Sequence, residues 1–246
     1  MKGKAVLFGL NYKNKSIPLR GCINDVTNMR HFLTARGVNC ELYTDETDPN
    51  TCSGVKIMNA LTQAAKESRE QNYDFVWIHY SGHGSYVTDQ NSEEVDGRDE
   101  CIVPNDYENG VIPDDYLRML FKGFNKNTKV ICVFDCCHSG TVGDLPYSWT
   151  TPVQVKIEHP EKLDRKIMTI SGCLDDQTSL EIFTSNEYSG VLTSCILHNL
   201  KTNSEVKNDV FKLIKAVKDD LKRTEFKQVP KLCSSYNLYR DNTLIF

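Results

Sequence analysis

No two of the ten cysteines stand in a C-x-x-C spacing, which removes the usual structural-zinc and thioredoxin-type signatures from a chain of 246 residues. No stretch approaches the run of about eighteen apolar residues that spans a bilayer. The start, MKGKAVLFGLNY, carries two lysines and then a short β-type run, with no long apolar segment and no small-residue cleavage site after it. Neither secretion nor membrane insertion is expected, and the expected location is cytoplasmic. A basic excess is missing too: 29 Lys and Arg stand against 33 Asp and Glu, for a net charge of −4. Nucleic acid and membrane surfaces are therefore not expected as partners. Internal repeats and low-complexity tracts are absent from the sequence as well.

The length suits one α/β domain with a core that needs no covalent staples. Several cysteines sit inside apolar runs, where a free thiol packs as a small hydrophobe, so most are read as reduced. Short β runs, KAVLFGL (4–10), VNCELYT (38–44), DFVWIHY (74–80), KVICVFD (129–135) and KIMTIS (166–171), alternate with segments of helical spacing. Strands alternating with helices predict a mostly parallel central sheet flanked by helices on both faces, the α/β class. VICVF and FVWI, apolar throughout, suit its central strands. Two helices are expected near 187–200 and 207–222 and a last strand near 236–240. The stretch 144–163, with three prolines and no clean period, is expected to be a surface loop.

In open parallel sheets chemistry gathers at the carboxyl ends of the strands. DFVWIHY runs into SGHGS there, and KVICVFD runs into CCHSG. A thiol becomes a nucleophile when a base or a positive charge holds it as thiolate. His83 and Cys137 meet that condition on this topology, and glycines beside them allow sharp turns. Singly, a strand-end Cys is usually an inert buried thiol and a lone His an ordinary surface residue. Together, at adjacent strand ends, they point to catalysis. His79 lies four residues before His83, but HYSGH is a strand and a turn, so zinc ligation is rejected.

HYSGHG and DCCHSG resemble the two active-site signatures of the metacaspases, caspase-related clan CD cysteine peptidases of family C14, which show Y-S-G-H-G and D-[SC]-C-H-S-G. The resemblance extends through LRGCINDV (19–26), DGRDECIVPND (96–106), DLPYSW (144–149) and SGCLDDQTS (171–179). It implies a caspase-like fold in a single domain over 1–246. A larger part (1–145) carries His and Cys, a linker loop (146–165) follows, and a smaller part (166–246) completes the chain. The order is that of type I enzymes, and a pro-region is expected to be lacking. The resemblance also implies that Cys137 is the nucleophile and His83 the general base, with Cys136 at a variable position often occupied by serine.

An acidic residue beside a thiolate disfavours it, so Asp135 is better explained as a ligand for a positive substrate group. The resemblance implies a pocket of Cys22, Asp25, Ser81 and Asp135 for an Arg or Lys before the cut bond, and hence protein or peptide substrates with a basic residue there. The bland alternative for Asp25 is a helix N-terminal carboxylate satisfying backbone donors. From Asp89 to Asp115 ten Asp or Glu face one basic residue, Arg98. Such a run is usually a solvated loop, yet it is also the kind of oxygen-rich stretch that a hard cation accepts. The resemblance implies an activating Ca²⁺ site at Asp99, Asp114, Asp115 and Asp144, with Asp96 as the alternative to Asp99. It also makes self-cleavage at Lys156, Lys162, Arg165 or Lys166 an expectation, and the enzyme is expected to act as a monomer. A catalytically silent caspase-like scaffold is the alternative of a different class. A thiol-redox role for Cys136 and Cys137 is weaker, because adjacent cysteines close a strained ring.

Overall fold

Apolar side chains fill both faces of the central strands, and the fold follows from covering them. The structure, a computed structural model, describes residues 1–88, 98–136, 143–157, 161–172, 181–184, 187–223 and 228–244. In chain order the elements are β1 (Gly3–Gly9), α1 (Cys22–Thr34), β2 (Asn39–Thr44), α2 (Gly54–Glu70), β3 (Phe75–Ser81), β4 (Gly84–Thr88), β5 (Arg98–Ile102), β6 (Ile112–Pro113) and α3 (Asp114–Phe121). There follow β7 (Lys129–Asp135), β8 (Tyr147–Thr151), β9 (Gln154–Ile157), β10 (Lys166–Ser171), β11 (Glu181–Thr184), β12 (Glu187–Gly190), α4 (Val191–Thr202), α5 (Val210–Arg223) and β13 (Lys231–Ser234).

Eight strands make one sheet in the order β2-β1-β3-β7-β10-β13-β8-β9. The first five run parallel, and β13, β8 and β9 add antiparallel pairs at one side. Alternation along each strand sends residues to opposite faces. Leu7, Trp77, Val133 and Ile170 pack with Val26 and Met29 of α1, Ile196 of α4 and Val217 of α5. Phe8, Ile78, Cys132 and Ile167 pack with Ile57 and Leu61 of α2 and Leu117 and Phe121 of α3. Helices thus cover both faces, as the alternating pattern predicts. Separate small sheets are formed by β4-β5-β6 and by the hairpin β11-β12.

Three local expectations are corrected. The stretch 144–163 contains β8 and β9, a hairpin that extends the main sheet. Its order comes from tertiary contact: Trp149 is buried, its Nε1 donates to Ser234 Oγ at 2.7 Å, and its ring meets Phe211 of α5 at 5.7 Å. Pro146 precedes the hairpin and Pro152 sits in its turn, so neither removes a ladder donor. The last strand is Lys231–Ser234 rather than 236–240, because Leu232 and Cys233 pair with both β10 and β8 while Arg240 turns back onto Asn237. The helix expected from 187 starts at Val191, and its first four expected residues are β12.

Candidate active site

Neighbouring parallel strands β3 and β7 place Ser81 opposite Asp135. His83 follows Ser81 by two residues and Cys137 follows Asp135 by two, so both motifs leave the sheet from one end, as the topology argument requires. Cys137 itself, with the rest of 137–142, lies outside the described residues. Gly82 sits where a Cβ would stand 2.8 Å from Tyr80 Oη and 2.9 Å from Tyr12 Oη, so the turn that presents His83 admits only glycine.

The imidazole Nε2 of His83 lies 2.8 Å from the carbonyl oxygen of Ile17. A carbonyl can only accept, so Nε2 carries the hydrogen, which leaves Nδ1 as the ring nitrogen able to accept a proton. The Tyr12 ring lies against the imidazole at 4.8 Å between centroids, tilted by 43°. The Ile17 partner escapes sequence reasoning because a backbone carbonyl leaves no residue-type signal.

The eight described cysteines form no disulfide among themselves. Burial pushes the Cys101 thiol up to about 12 and that of Cys195 to about 11, and lifts Cys22, Cys52 and Cys132 as well. None of these five is set up as a thiolate. Cys136 is wholly buried in the apolar cluster shared with α2 and α3. His79, also wholly buried, sits 3.1 Å from Thr193 Oγ1, and burial lowers it to about 3, so it is a neutral core residue.

The four expected pocket residues come together. Ser81 Oγ donates to Asp25 Oδ2 at 2.7 Å, and the Gly190 N–H reaches the Asp25 carboxylate at 2.9 and 3.0 Å. The Thr193 N–H donates to Asp135 Oδ2 at 2.9 Å. Both amides belong to the N-terminus of α4, whose unsatisfied donors and dipole favour negative charge. Asp25 does not cap its own helix. The carboxyl groups of Asp25 and Asp135 are 1% and 2% exposed as residues. Burial first, and then the neighbouring Asp135 charge, hold the Asp25 pKa well above the usual carboxylate range. Burial and Asp25 raise the Cys22 thiol in turn. A Cβ at Gly190 would stand 2.8 Å from both Asp25 Oδ2 and Asp135 Cγ, so the two carboxylates converge on a residue that must lack a side chain. The hairpin that ends at Gly190 is tied to the start of α1. There Glu181 Oε1 accepts from the N–H groups of Arg20 and Gly21 at 2.8 and 2.5 Å. Gly190, Thr193 and Glu181 are absent from the sequence reading. A glycine opening a helix was the only available signal.

Of the expected cation ligands, Asp99 lies on β5, Asp114 and Asp115 open α3, and Asp144 precedes β8. Asp99, Asp114 and Asp144 are buried. Helix α3 packs on β5, and Arg118 of α3 donates to the Asp144 carbonyl. Among the described residues no three acidic, His or Cys side chains converge closely enough to hold a metal ion. The acids therefore share a neighbourhood without forming a three-ligand cluster there.

A family profile described as the caspase domain, Peptidase C14, matches residues 2–239. The chain belongs to the caspase-domain family. Among its relatives within that family, metacaspase-3 of Trypanosoma brucei brucei is 31% identical over 268 residues, spanning 98% of this chain and 73% of that protein. Metacaspase-1 of Ajellomyces capsulatus is 28% identical, covering 98% of this chain and 82% of the relative. Two solved structures share the caspase-type fold. One, from Geobacter sulfurreducens, has a TM-score of 0.71 at 24% identity with both chains covered in full. The other, caspase-1 from Spodoptera frugiperda, has a TM-score of 0.62 at 13% identity, covering 99% of this chain and 89% of that one. As a caspase-domain protein with metacaspase relatives, the chain is a cysteine peptidase acting on proteins or peptides. No helix of the described residues is long and apolar enough to cross a membrane.

Proposed function

We propose that the protein is an endopeptidase that cuts after Arg or Lys. His83 Nδ1 takes the Cys137 proton, and the thiolate attacks the carbonyl after the basic residue. The bond to the amine leaving group breaks as His83 gives that proton to the leaving nitrogen, and the resulting thioester is hydrolysed by water with His83 again as base. The observation that carries the specificity is the convergence of two buried carboxylates, Asp25 and Asp135, on Gly190 beside the strand ends. Ionised together, two carboxylates this close and this buried repel each other, and that repulsion is a demand for a cation. A guanidinium or ammonium group meets it, whereas a substrate Asp would add a third like charge. Fluorogenic peptides differing only at the cut position test this: Arg and Lys are expected to be turned over and Asp not. Comparable turnover of the Asp peptide overturns the assignment.

Calcium stimulation belongs to the same reading. The all-carboxylate set of Asp99, Asp114, Asp115 and Asp144 suits a hard cation, and three of the four are buried, where bound charge would be compensated. A Ca²⁺ ion would be held by these carboxylates and would tie β5, α3 and the segment before β8 together. Activity is expected to rise with millimolar calcium and to lose that response in Asp114→Asn/Asp115→Asn. Full activity in excess chelator refutes it.

Self-processing is assigned to Lys156. All four residues of the edge strand β9 are exposed, and the chain there is already extended. Lys162, by contrast, is flanked by Glu161, which pairs with Arg118 at 2.9 Å, and by buried Leu163, while Lys166 opens the paired strand β10. Mass spectrometry after incubation with calcium is expected to find a cut after Lys156; an intact mass throughout counts against processing. The enzyme acts as a monomer in this reading, with charged Lys156 on the open sheet edge discouraging strand pairing between copies.

A further inference from the structure

We propose that Tyr12 is the positioning residue of the catalytic base, gripping both the His83 backbone and its ring; the proposal rests on His83 being that base. Tyr12 stands 71 residues before His83, in no signature motif, just past β1. It is wholly buried, with φ at 49°, the left-handed region that a tyrosine rarely adopts. Such a conformation persists only where its surroundings impose it, and it is a pointer to function. What imposes it is Asp45: one carboxylate oxygen accepts the Asn11 N–H at 2.9 Å and the other the Tyr12 N–H at 2.8 Å.

The hydrogen bonds and the ring contact of the side chain join it to the His83 turn and its support. Tyr12 Oη accepts the His83 N–H at 3.1 Å and donates to the Val103 carbonyl at 2.5 Å. Tyr80 Oη, 3.0 Å away, donates to the His83 carbonyl at 2.8 Å, and the Val103 N–H donates to that carbonyl at 3.1 Å. The peptide groups on both sides of His83 are thus held by tyrosine oxygens, in the space that Gly82 leaves by having no side chain. The Tyr12 ring closes one side of the imidazole, 4.8 Å away and tilted by 43°.

Tyr12 also roots the loop that sets the tautomer. Its carbonyl accepts the Lys15 N–H at 2.9 Å, Asn11 accepts the Leu19 N–H at 2.7 Å, and between them Ile17 presents its carbonyl to Nε2. One residue therefore constrains the backbone, one ring face and the hydrogen-bond partner of the base. Proton transfer depends steeply on such placement.

The test is steady-state kinetics of Tyr12→Phe on an Arg peptide with calcium present, alongside His83→Ala and a thermal melt of each variant. Tyr12→Phe keeps the ring and removes only Oη. Its kcat is expected to fall about tenfold with KM within about twofold, the pattern of an interaction used in the transition state and not in substrate binding. Wild-type kcat in folded Tyr12→Phe, or a loss confined to KM, overturns the proposal. Turnover by His83→Ala would instead overturn the functional reading on which it rests. If Tyr12→Phe does not fold, 3-fluorotyrosine at position 12 weakens the hydroxyl as an acceptor without deleting it. A fall of about threefold in kcat is then expected, and an unchanged kcat overturns the brace.

Discussion

Replacing Asp135 by Asn separates a substrate-reading carboxylate from a structural one. A cation at ~4 Å from a carboxylate gains ~4 kcal/mol at the effective dielectric of a partly solvated site. The full amount is not lost, because the two acids are coupled. Burial is the first cause that holds Asp25 well above the usual carboxylate range and the Asp135 charge the second, so neutralising Asp135 makes Asp25 easier to ionise and restores part of the negative charge. The expected loss is therefore about 2–3 kcal/mol in kcat/KM, roughly 30- to 150-fold, on an Arg peptide. A peptide with citrulline in place of Arg, neutral and nearly isosteric, is expected to change by less than about threefold. Asn keeps an oxygen for the Thr193 N–H, so the melting temperature is expected to hold or rise. An unchanged ratio of Arg to citrulline turnover would refute the charge-reading role, and an equal loss on both peptides with a falling melting temperature would mark Asp135 as structural.

The raised Asp25 pKa means that the folded chain binds this proton more tightly than the unfolded chain. Its stabilising effect is full below about pH 4 and is lost as pH rises through the raised value. Asp25→Asn is accordingly expected to raise the melting temperature at pH 8 and not at pH 4; the reverse order would contradict the burial argument. For His79, lowered to about 3, the sign is opposite. Stability is lost as pH falls from about 6.5 towards 3, by ~1.4 kcal/mol per pH unit at most, and denaturant titrations of His79→Gln are expected to show that slope flattened. Cys136→Ala is expected to cost about 1–2 kcal/mol of stability from lost packing while turnover persists. Cys137→Ala is expected to abolish turnover in the same assay, so a dead Cys136→Ala that still melts normally would assign the nucleophile wrongly.

Each stretch of this sequence declares only what its own neighbours impose. Apolar runs such as KVICVFD and FVWIHY specify buried strands wherever they are placed, and β3 and β7 lie where that pattern puts them. The hairpin β8-β9 could not be read the same way, since a single buried residue, Trp149, anchors β8 through partners 62 and 85 positions away. The pocket divides likewise. Asp25 and Asp135 stand out as acids in telling contexts, but Gly190 and Thr193 act through backbone N–H groups, which every residue but proline owns.

By itself, then, the sequence determined the alternation of strands and helices, the strand ends at which chemistry collects, and the residue types available there. Periodicity and short motifs encode these locally. Only the tertiary structure decided that the α4 N-terminus faces two carboxylates, that the Ile17 carbonyl sets the tautomer of His83, and that a strained tyrosine 71 residues away braces it. Those contacts are backbone hydrogen bonds and close approaches between distant segments, and they have no signature until the chain is folded.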